Sequence, residues 1–145
     1  MTDKKLRIGV VGCGNISMAY MRNAPLFRGI EISACADINP DAATRRAAQF
    51  NLRALDVNRL MSDPDIDLVL NLTVPAAHYG ISMQALLEGK HVFTEKPLAV
   101  TADAGRQLVA LAASNGVALG SAPDTFLGAA GRLVAHDARV RERDA

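Results

Sequence analysis

The sequence predicts a doubly wound α/β domain, in which helices cover both faces of a parallel sheet. Short apolar runs alternate with segments of helical periodicity from residue 6 to about residue 122. Strands separated by helices of about 10–15 residues form parallel sheets, because each right-handed crossover returns the chain to the same end of the sheet. The first apolar run also leads directly into Gly12-Cys-Gly14, a turn that opens the next helical segment.

Six strands are predicted where short apolar runs are bounded by turn-forming residues. They are residues 6–11, 31–36, 53–55, 67–72, 91–94 and 117–120. Helical segments lie between them, at residues 15–27, 40–50, 56–61, 75–88 and 102–115. Asn39 and Thr101 precede two of these helices and are suited to cap them, whereas Gly89 and Gly116 follow two helices and end them.

Composition excludes several classes of protein. Sixteen Lys and Arg against fifteen Asp and Glu leave a net charge of +1, which indicates no basic surface for nucleic acid or an acidic membrane. No apolar run approaches the ~18 residues of a membrane span, and the charged N-terminus lacks the apolar stretch of a signal peptide. The two cysteines, Cys13 and Cys35, are too few for a disulfide framework and match no zinc-ligand spacing. We therefore expect a cytoplasmic protein without metal, nucleic acid or membrane partners.

The glycine-rich turn predicts a dinucleotide-binding domain of Rossmann type. Gly12 suits a tight turn, and Gly14 leaves room for a pyrophosphate to approach the backbone. Asn15 and Ile16 open the helix whose positive end would hold the anion. The third position of the fingerprint is Ser17, where glycine or alanine is usual, and a small residue there still allows the helix to pack on the strand. The alternative is a structural turn that happens to contain two glycines.

Asp37 ends the second strand and is the candidate ligand of the adenosine ribose. It lies 23 positions after Gly14, close to the ~20 expected of such an acid. A carboxylate there accepts hydrogen bonds from the ribose hydroxyls and repels a 2′-phosphate, so NAD is expected and NADP stays open. The other interpretation of Asp37 is a cap of the following helix. Arg45 and Arg46 on that helix are expected to be solvated rather than bound to phosphate.

Two further segments carry a specific resemblance. They are Asn71-Leu-Thr-Val-Pro75-Ala-Ala-His78 and the stretch of residues 85–99, which contains Glu95-Lys96-Pro97. With the segments 7–16 and 122–128, they make the chain resemble the glucose–fructose oxidoreductase / inositol dehydrogenase / rhizopine-catabolism (Gfo/Idh/MocA) family over about residues 6–130. The Glu-Lys-Pro sequence after the fifth strand is much more specific than the glycine turn.

The resemblance implies roles for the loop after the fourth strand. Thr73, Pro75 and His78 would border the ribose and nicotinamide of the cofactor. From chemistry alone, a histidine at the start of a helix is more often a residue with one hydrogen bond than a ligand, so both interpretations of His78 stay open.

The resemblance also implies roles for the loop after the fifth strand. Glu95 and Lys96 would lie beside the nicotinamide, with Lys96 as the catalytic residue that meets the substrate hydroxyl or carbonyl and helps its proton transfer. Pro97 is expected to follow a cis peptide bond. Without the resemblance, Lys96 is equally a solvated lysine at the end of a strand.

The family further implies a second, α+β domain that binds the substrate and supplies other catalytic side chains. No segment of this chain corresponds to that domain, and residues 131–145 are charged, with little to bury. We therefore expect a dinucleotide-binding domain at residues 1–130 and an irregular or helical tail at 131–145. The sequence is interpreted as a fragment from a truncated or frame-shifted gene.

The leading hypothesis is the nucleotide-binding domain of an NAD(P)-dependent oxidoreductase. Its substrate would be a sugar, inositol or similar polyol, used only if a second domain is supplied. The alternatives are a non-catalytic dinucleotide-binding module and a remnant without activity. Alone, the chain is expected to bind cofactor without turnover, and apolar surface left by the missing domain predicts self-association.

Overall fold

One parallel sheet of six strands organises the computed structural model, which describes residues 5–122. The strand order is β3-β2-β1-β4-β5-β6, the arrangement of doubly wound dinucleotide-binding domains. The predicted fold class is thereby confirmed. The strands are β1 (Leu6–Val11), β2 (Ile30–Ala36), β3 (Arg53–Leu55), β4 (Leu68–Asn71), β5 (His91–Thr94) and β6 (Leu119–Ser121).

Five α-helices connect the strands, close to the predicted positions. They are α1 (Asn15–Asn23), α2 (Pro40–Phe50), α3 (Val57–Ser62), α4 (Pro75–Leu87) and α5 (Ala102–Asn115). The side chains of Asn39 and Thr101 accept hydrogen bonds from backbone amides of α2 and α5, as capping residues do. Gly116 ends α5 in the left-handed conformation, with a φ of +65°.

Two predicted boundaries differ from the structure by more than one residue. The first helix ends at Asn23 and continues as a 3₁₀ turn, Ala24–Leu26, because Pro25 has no amide hydrogen with which to extend the α-helical ladder. The last strand begins at Leu119 rather than residue 117, because the amide of Val117 donates to the carbonyl of Ala112 and closes the end of α5.

Helices α1 and α2 pack on one face of the sheet, and α3, α4 and α5 pack on the other. Met21 of α1 and Ala47 of α2 belong to one buried cluster with residues of β1. Leu60 of α3, Leu86 of α4 and Leu108 of α5 belong to a second cluster, on the opposite face. The connections therefore place helices on both faces of the sheet.

The face that carries α1 is only partly covered by the described residues. The described helices on this face are α1 and α2, and Leu68 of β4 and Phe93 of β5 are only partly buried beside them. Beside α1, an apolar groove of about 780 Å³ is lined by Leu68, Leu70 and Phe93 of these strands. Leu26 and Phe27, which also line it, are largely exposed.

Residues 5–122 lack two kinds of feature. No helix in this part of the chain is long and apolar enough to cross a membrane, and no group of three His, Cys, Asp or Glu side chains there could hold a metal ion. The predicted division at residue 130 and the tail at 131–145 lie outside the described residues and stay predictions.

Candidate functional site

The carboxyl ends of four strands bring the predicted site residues to one edge of the sheet. Residues 12–16, here called the glycine turn, follow β1, and Asp37 follows β2. Residues 72–74 follow β4 and residues 95–98 follow β5, and we call these two segments the paired loops. The strand order reverses between β1 and β4, and ligands of open α/β sheets bind at such a switch point.

Gly12 occupies a position that excludes any side chain. Its φ of +103° is one that residues other than glycine rarely adopt. A Cβ atom there would lie 2.6 Å from the carbonyl carbon and oxygen of Leu72, and 2.8 Å from the amide nitrogen of Thr73. The turn therefore passes directly against the backbone that follows β4.

Gly14 differs from Gly12, because a Cβ atom at this position would have no neighbour within 4 Å. Gly14 is the N-cap of α1 and provides no side-chain hydrogen bond to the helix, so the amides of the exposed residues Asn15 and Ile16 receive no cap from it. The hydroxyl of buried Ser17 donates to the carbonyl of Gly14 at 2.6 Å. Open space in front of a helix N-terminus is suited to an anion.

Asp37 is held by backbone amides on both sides of its carboxylate. Oδ2 accepts a hydrogen bond from the amide of Cys13 at 2.7 Å, and Oδ1 accepts one from the amide of Asn39 at 2.8 Å. Each carboxylate oxygen retains capacity for a further donor. The cap of α2 is Asn39 and not Asp37. A cavity of about 370 Å³ adjoins Asp37, between Ile38 and Asn58.

The prediction that Arg46 is solvated was wrong. Its Nη2 donates to the carbonyl of Cys13 at 3.3 Å and to that of Gly14 at 3.2 Å, and the residue is half-buried. Arg46 follows buried Ala43 by three residues and precedes buried Ala47, so helical spacing could have indicated that it lies at the edge of the packed face. Its guanidinium braces the glycine turn from α2.

Cys13, inside the turn, is buried against β2. Hydrogen bonding with Cys35 and burial together raise the pKa of the Cys13 thiol above its ordinary value. These contacts therefore favour the neutral form of the Cys13 thiol.

Asn71 organises the first of the paired loops and was not predicted as a site residue. Its fully buried side chain donates from Nδ2 to the carbonyl of His78 at 3.0 Å and to the hydroxyl of Ser82 at 3.1 Å. Its Oδ1 accepts from the amide and the hydroxyl of Thr73, at 3.3 and 2.7 Å. The sequence signal for this role was an asparagine at the end of an otherwise apolar strand, since a buried side-chain amide needs hydrogen-bond partners.

His78 lies beneath the paired loops, with 1% of its surface exposed. Its Nε2 is 2.9 Å from the carbonyl oxygen of Thr73, and its Nδ1 is 2.6 Å from the carbonyl oxygen of Pro97. Both ring nitrogens therefore contact backbone of the protein itself, which leaves neither free for a ligand in this conformation. Pro75, also predicted to border a cofactor, is exposed as the first residue of α4.

The second of the paired loops carries Glu95 and Lys96. Glu95 Oε1 accepts a hydrogen bond from the hydroxyl of Tyr20 at 2.6 Å, so this loop is joined to α1 directly. Lys96 is exposed and forms no ion pair with any residue of the described chain. The peptide bond between Lys96 and Pro97 is cis, as predicted.

The fold and the site together define a dinucleotide-binding domain of Rossmann type. The strand order, the open glycine turn before a helix and the aspartate at the end of β2 are its features. The chain belongs to the Gfo/Idh/MocA oxidoreductase family, whose NAD-binding Rossmann fold matches residues 6–122. The resemblance and the NAD-binding domain predicted from the sequence are thereby confirmed.

Relatives with known activities cover most of the chain. It is 35% identical over 108 residues to inositol 2-dehydrogenase/D-chiro-inositol 3-dehydrogenase of Lacticaseibacillus casei, covering 72% of this chain and 31% of that enzyme. Biliverdin reductase from Synechocystis sp. PCC 6803, solved with biliverdin and NADP+, has a TM-score of 0.82 at 30% identity, covering 90% of this chain and 42% of that one. The WlbA dehydrogenase from Bordetella pertussis, solved with NADH and UDP-GlcNAcA, has a TM-score of 0.84 at 26% identity, covering 92% and 39%. The chain thus spans about a third of the length of the curated relative.

Proposed function

We propose that the chain binds NAD(H) across the carboxyl edge of its sheet and is the nucleotide-binding part of an enzyme that oxidises or reduces a carbinol carbon. The observation that carries the proposal is the convergence of the open glycine turn, Asp37 and the paired loops at one switch point of a domain of this family.

The residues of the turn fit a pyrophosphate. Gly14 leaves the space open to solvent, and the amides that begin α1, those of Asn15 and Ile16, are left without a side-chain cap. The cavity beside Asp37 has room for an adenosine, which fills a few hundred Å³ at most. Arg46 donates hydrogen bonds to the carbonyls of the glycine turn, so the backbone amides of the turn are held in a fixed direction.

Asp37 supports NAD rather than NADP as the preferred cofactor. Its carboxylate already accepts the amides of Cys13 and Asn39 and has lone pairs left for ribose hydroxyls. A 2′-phosphate at the same place would meet like charge. Solved relatives hold NADH in one case and NADP+ in another, so the preference is a property to be measured on this chain.

The paired loops would border the nicotinamide, whose chemistry when bound is hydride transfer. Thr73, Pro75 and Glu95 would form the protein side of that pocket. The Lys96 ammonium, exposed at the end of β5, would donate a hydrogen bond to the substrate oxygen and exchange a proton with it. We propose a sugar, inositol or similar polyol as the substrate class, because inositol and a sugar nucleotide occur among the relatives.

Two further parts of the proposal concern the setting of the protein. The apolar groove beside α1, which residues 5–122 leave uncovered, supports self-association, because contiguous exposed apolar surface of this kind is usually covered by a partner. The presence of two cysteines in the chain, without a disulfide framework, supports a reducing, cytoplasmic compartment.

The test of cofactor binding is calorimetric titration of NADH into the wild type and Gly14→Val. The Cβ atom of the valine would have no protein atom within 4 Å, so the fold should be retained while the side chain fills the pyrophosphate space, and binding should be lost. Arg45→Val on the exposed side of α2 is the matched control and should bind as the wild type does. Unchanged affinity in Gly14→Val would reject the turn as the site.

The test of the enzymatic part is an absorbance assay of the reduced cofactor with a panel of inositols and sugars. We expect the chain alone to bind cofactor without turnover, as a non-catalytic module would also do. Turnover that disappears in Lys96→Ala would show that this chain is a complete enzyme. A wild type that binds neither NADH nor NADPH would instead indicate an inactive remnant.

A further inference from the structure

We propose that His78 is a positioning residue that holds the backbone on both sides of the nicotinamide end of the cofactor site, an inference that rests on the function proposed above. The residue does not touch the cofactor. It acts through the carbonyl groups of Thr73 and Pro97, one in each of the paired loops.

The geometry of the ring makes it a bridge between the paired loops. His78 lies in the first turn of α4, below the loops, with 1% of its surface exposed. Its two ring nitrogens point to carbonyl oxygens 2.9 and 2.6 Å away, and these belong to segments 24 residues apart in the chain (73 and 97). Carbonyl oxygens only accept hydrogen bonds, so the neutral ring donates to one of them and the imidazolium donates to both.

The two loops depend on this bridge to different degrees. The first loop is also held by Asn71, which bonds the amide and the hydroxyl of Thr73. In the second loop the carbonyl of Pro97 accepts a hydrogen bond from no other group among residues 5–122. Among the described residues, His78 is therefore the hydrogen-bond partner of the backbone that immediately follows Lys96.

This hydrogen bond affects the position of the Lys96 ammonium. Lys96 is exposed, and no ion pair with a described residue fixes its side chain. Its position then depends on the backbone from which it extends, and displacements of about 1 Å at such a group are enough to impair a reaction. A restraint on the next residue's carbonyl is how a buried histidine can influence an exposed lysine.

The experiment compares NADH with ADP-ribose, which shares every part of NADH except the nicotinamide. Calorimetry gives the affinity of both for the wild type and for His78→Phe, which keeps an aromatic ring without donors. We expect NADH affinity to fall at least tenfold and ADP-ribose affinity to change less than twofold. In His78→Phe saturated with NADH, the fluorescence emission of the reduced nicotinamide should shift toward that of free NADH.

Two further variants keep the test decisive. His78→Gln retains one donor and should recover part of the NADH affinity; it also carries the test if His78→Phe does not fold. His91→Phe is the control, because His91 accepts a hydrogen bond from the amide of Ala118 beside the opposite end of β5. Its ratio of NADH to ADP-ribose affinity should equal that of the wild type.

Four results would overturn the proposal. Equal losses of NADH and ADP-ribose affinity in folded His78 variants would make the residue merely structural, and no loss of either would make it irrelevant. A wild type that binds ADP-ribose as tightly as NADH would show that the paired loops do not engage the nicotinamide, while binding at the glycine turn would stand. A wild type that binds neither ligand would reject the proposed function itself.

Discussion

The glycine turn and the paired loops lie on the same edge of the sheet but are built in opposite ways. In the turn the decisive feature is missing side chains, since a Cβ at Gly12 would overlap the backbone at Leu72 and one at Gly14 would enter open space. In the paired loops the decisive features are buried polar side chains, Asn71 and His78, which hold backbone groups in place. A region that would bind a ligand through its backbone amides needs open space in front of them. A region that presents side chains to a ligand needs buried groups that hold its backbone in place.

The comparison predicts different failures in the two regions. A substitution in the turn either breaks the fold or blocks the ligand, depending on which side of the backbone the new atoms fill. A substitution beneath the paired loops should weaken stability and the nicotinamide end together, because the same hydrogen bonds serve both.

The largest effect is expected for Gly12→Ala. The left-handed backbone costs about 1–3 kcal/mol for a residue with a Cβ, and overlap with the backbone of Leu72 and Thr73 costs about 1–3 kcal/mol more. Urea unfolding followed by circular dichroism measures the loss. Gly14→Ala is the control and should cost less than about 1 kcal/mol, because its methyl group meets nothing. Equal midpoints for the two variants would contradict the distinction between these glycines.

Asn71→Ala should have the next largest effect. It leaves the buried carbonyl of His78 and the half-buried amide of Thr73 without their side-chain partner, which costs roughly 2–3 kcal/mol. NADH affinity should fall as well, because the first of the paired loops loses its support. The matched control is Asn115→Ala at the end of α5, which removes one hydrogen bond to Leu86. If that variant weakens NADH binding equally, the effect of Asn71 is one of global stability.

Asp37→Ser should have a smaller effect, seen mainly in the choice of cofactor. The serine removes the charge that opposes a 2′-phosphate, so the preference for NADH over NADPH should narrow at least tenfold, about 1.4 kcal/mol. Competition titration with both cofactors measures the ratio. Equal affinities in the wild type would already refute the role of Asp37. The amide of Cys13 also loses its partner in this variant, so Asp37→Asn, which keeps an acceptor without the charge, separates the two effects.

Most of the fold and part of the candidate site could be predicted from the sequence, for physical reasons. Apolar periodicity, Asn39 and Gly116 are local signals, and the order of strands follows from right-handed crossovers. The turn could be predicted because missing side chains are visible in a sequence. The contact of His78 with Pro97 could not, because its partner is a backbone carbonyl that any residue type would supply. Arg46 was missed because helical periodicity gives the side of the helix but not the reach of a long side chain.

The smallest effect is expected for a substitution of Lys90, which lies at the amino edge of the sheet, opposite the candidate site. Lys90 precedes β5, and its buried ammonium donates to the carbonyls of Asp63 and Ile66 at 2.7 and 2.9 Å. Burial lowers the pKa of Lys90 below its ordinary value of 10.5. Between that lowered pKa and 10.5 the unfolded chain binds more protons than the folded one, so this group's contribution to stability rises with pH in that window.

Lys90→Met removes that titration while filling the same space. The free energy of unfolding of the wild type minus that of Lys90→Met should therefore increase as pH rises toward 10.5, by less than about 1 kcal/mol. Urea unfolding at several alkaline pH values measures it, and groups that titrate in both proteins cancel in the difference. NADH affinity should stay at the wild-type value, since Lys90 supports the amino edge and the site lies at the carboxyl edge. A difference that falls with pH would contradict the assignment of burial as the dominant influence on Lys90. A loss of NADH affinity would show that residues at the amino edge also stabilise the site. The glycine turn and the paired loops would then not be sufficient to account for NADH binding.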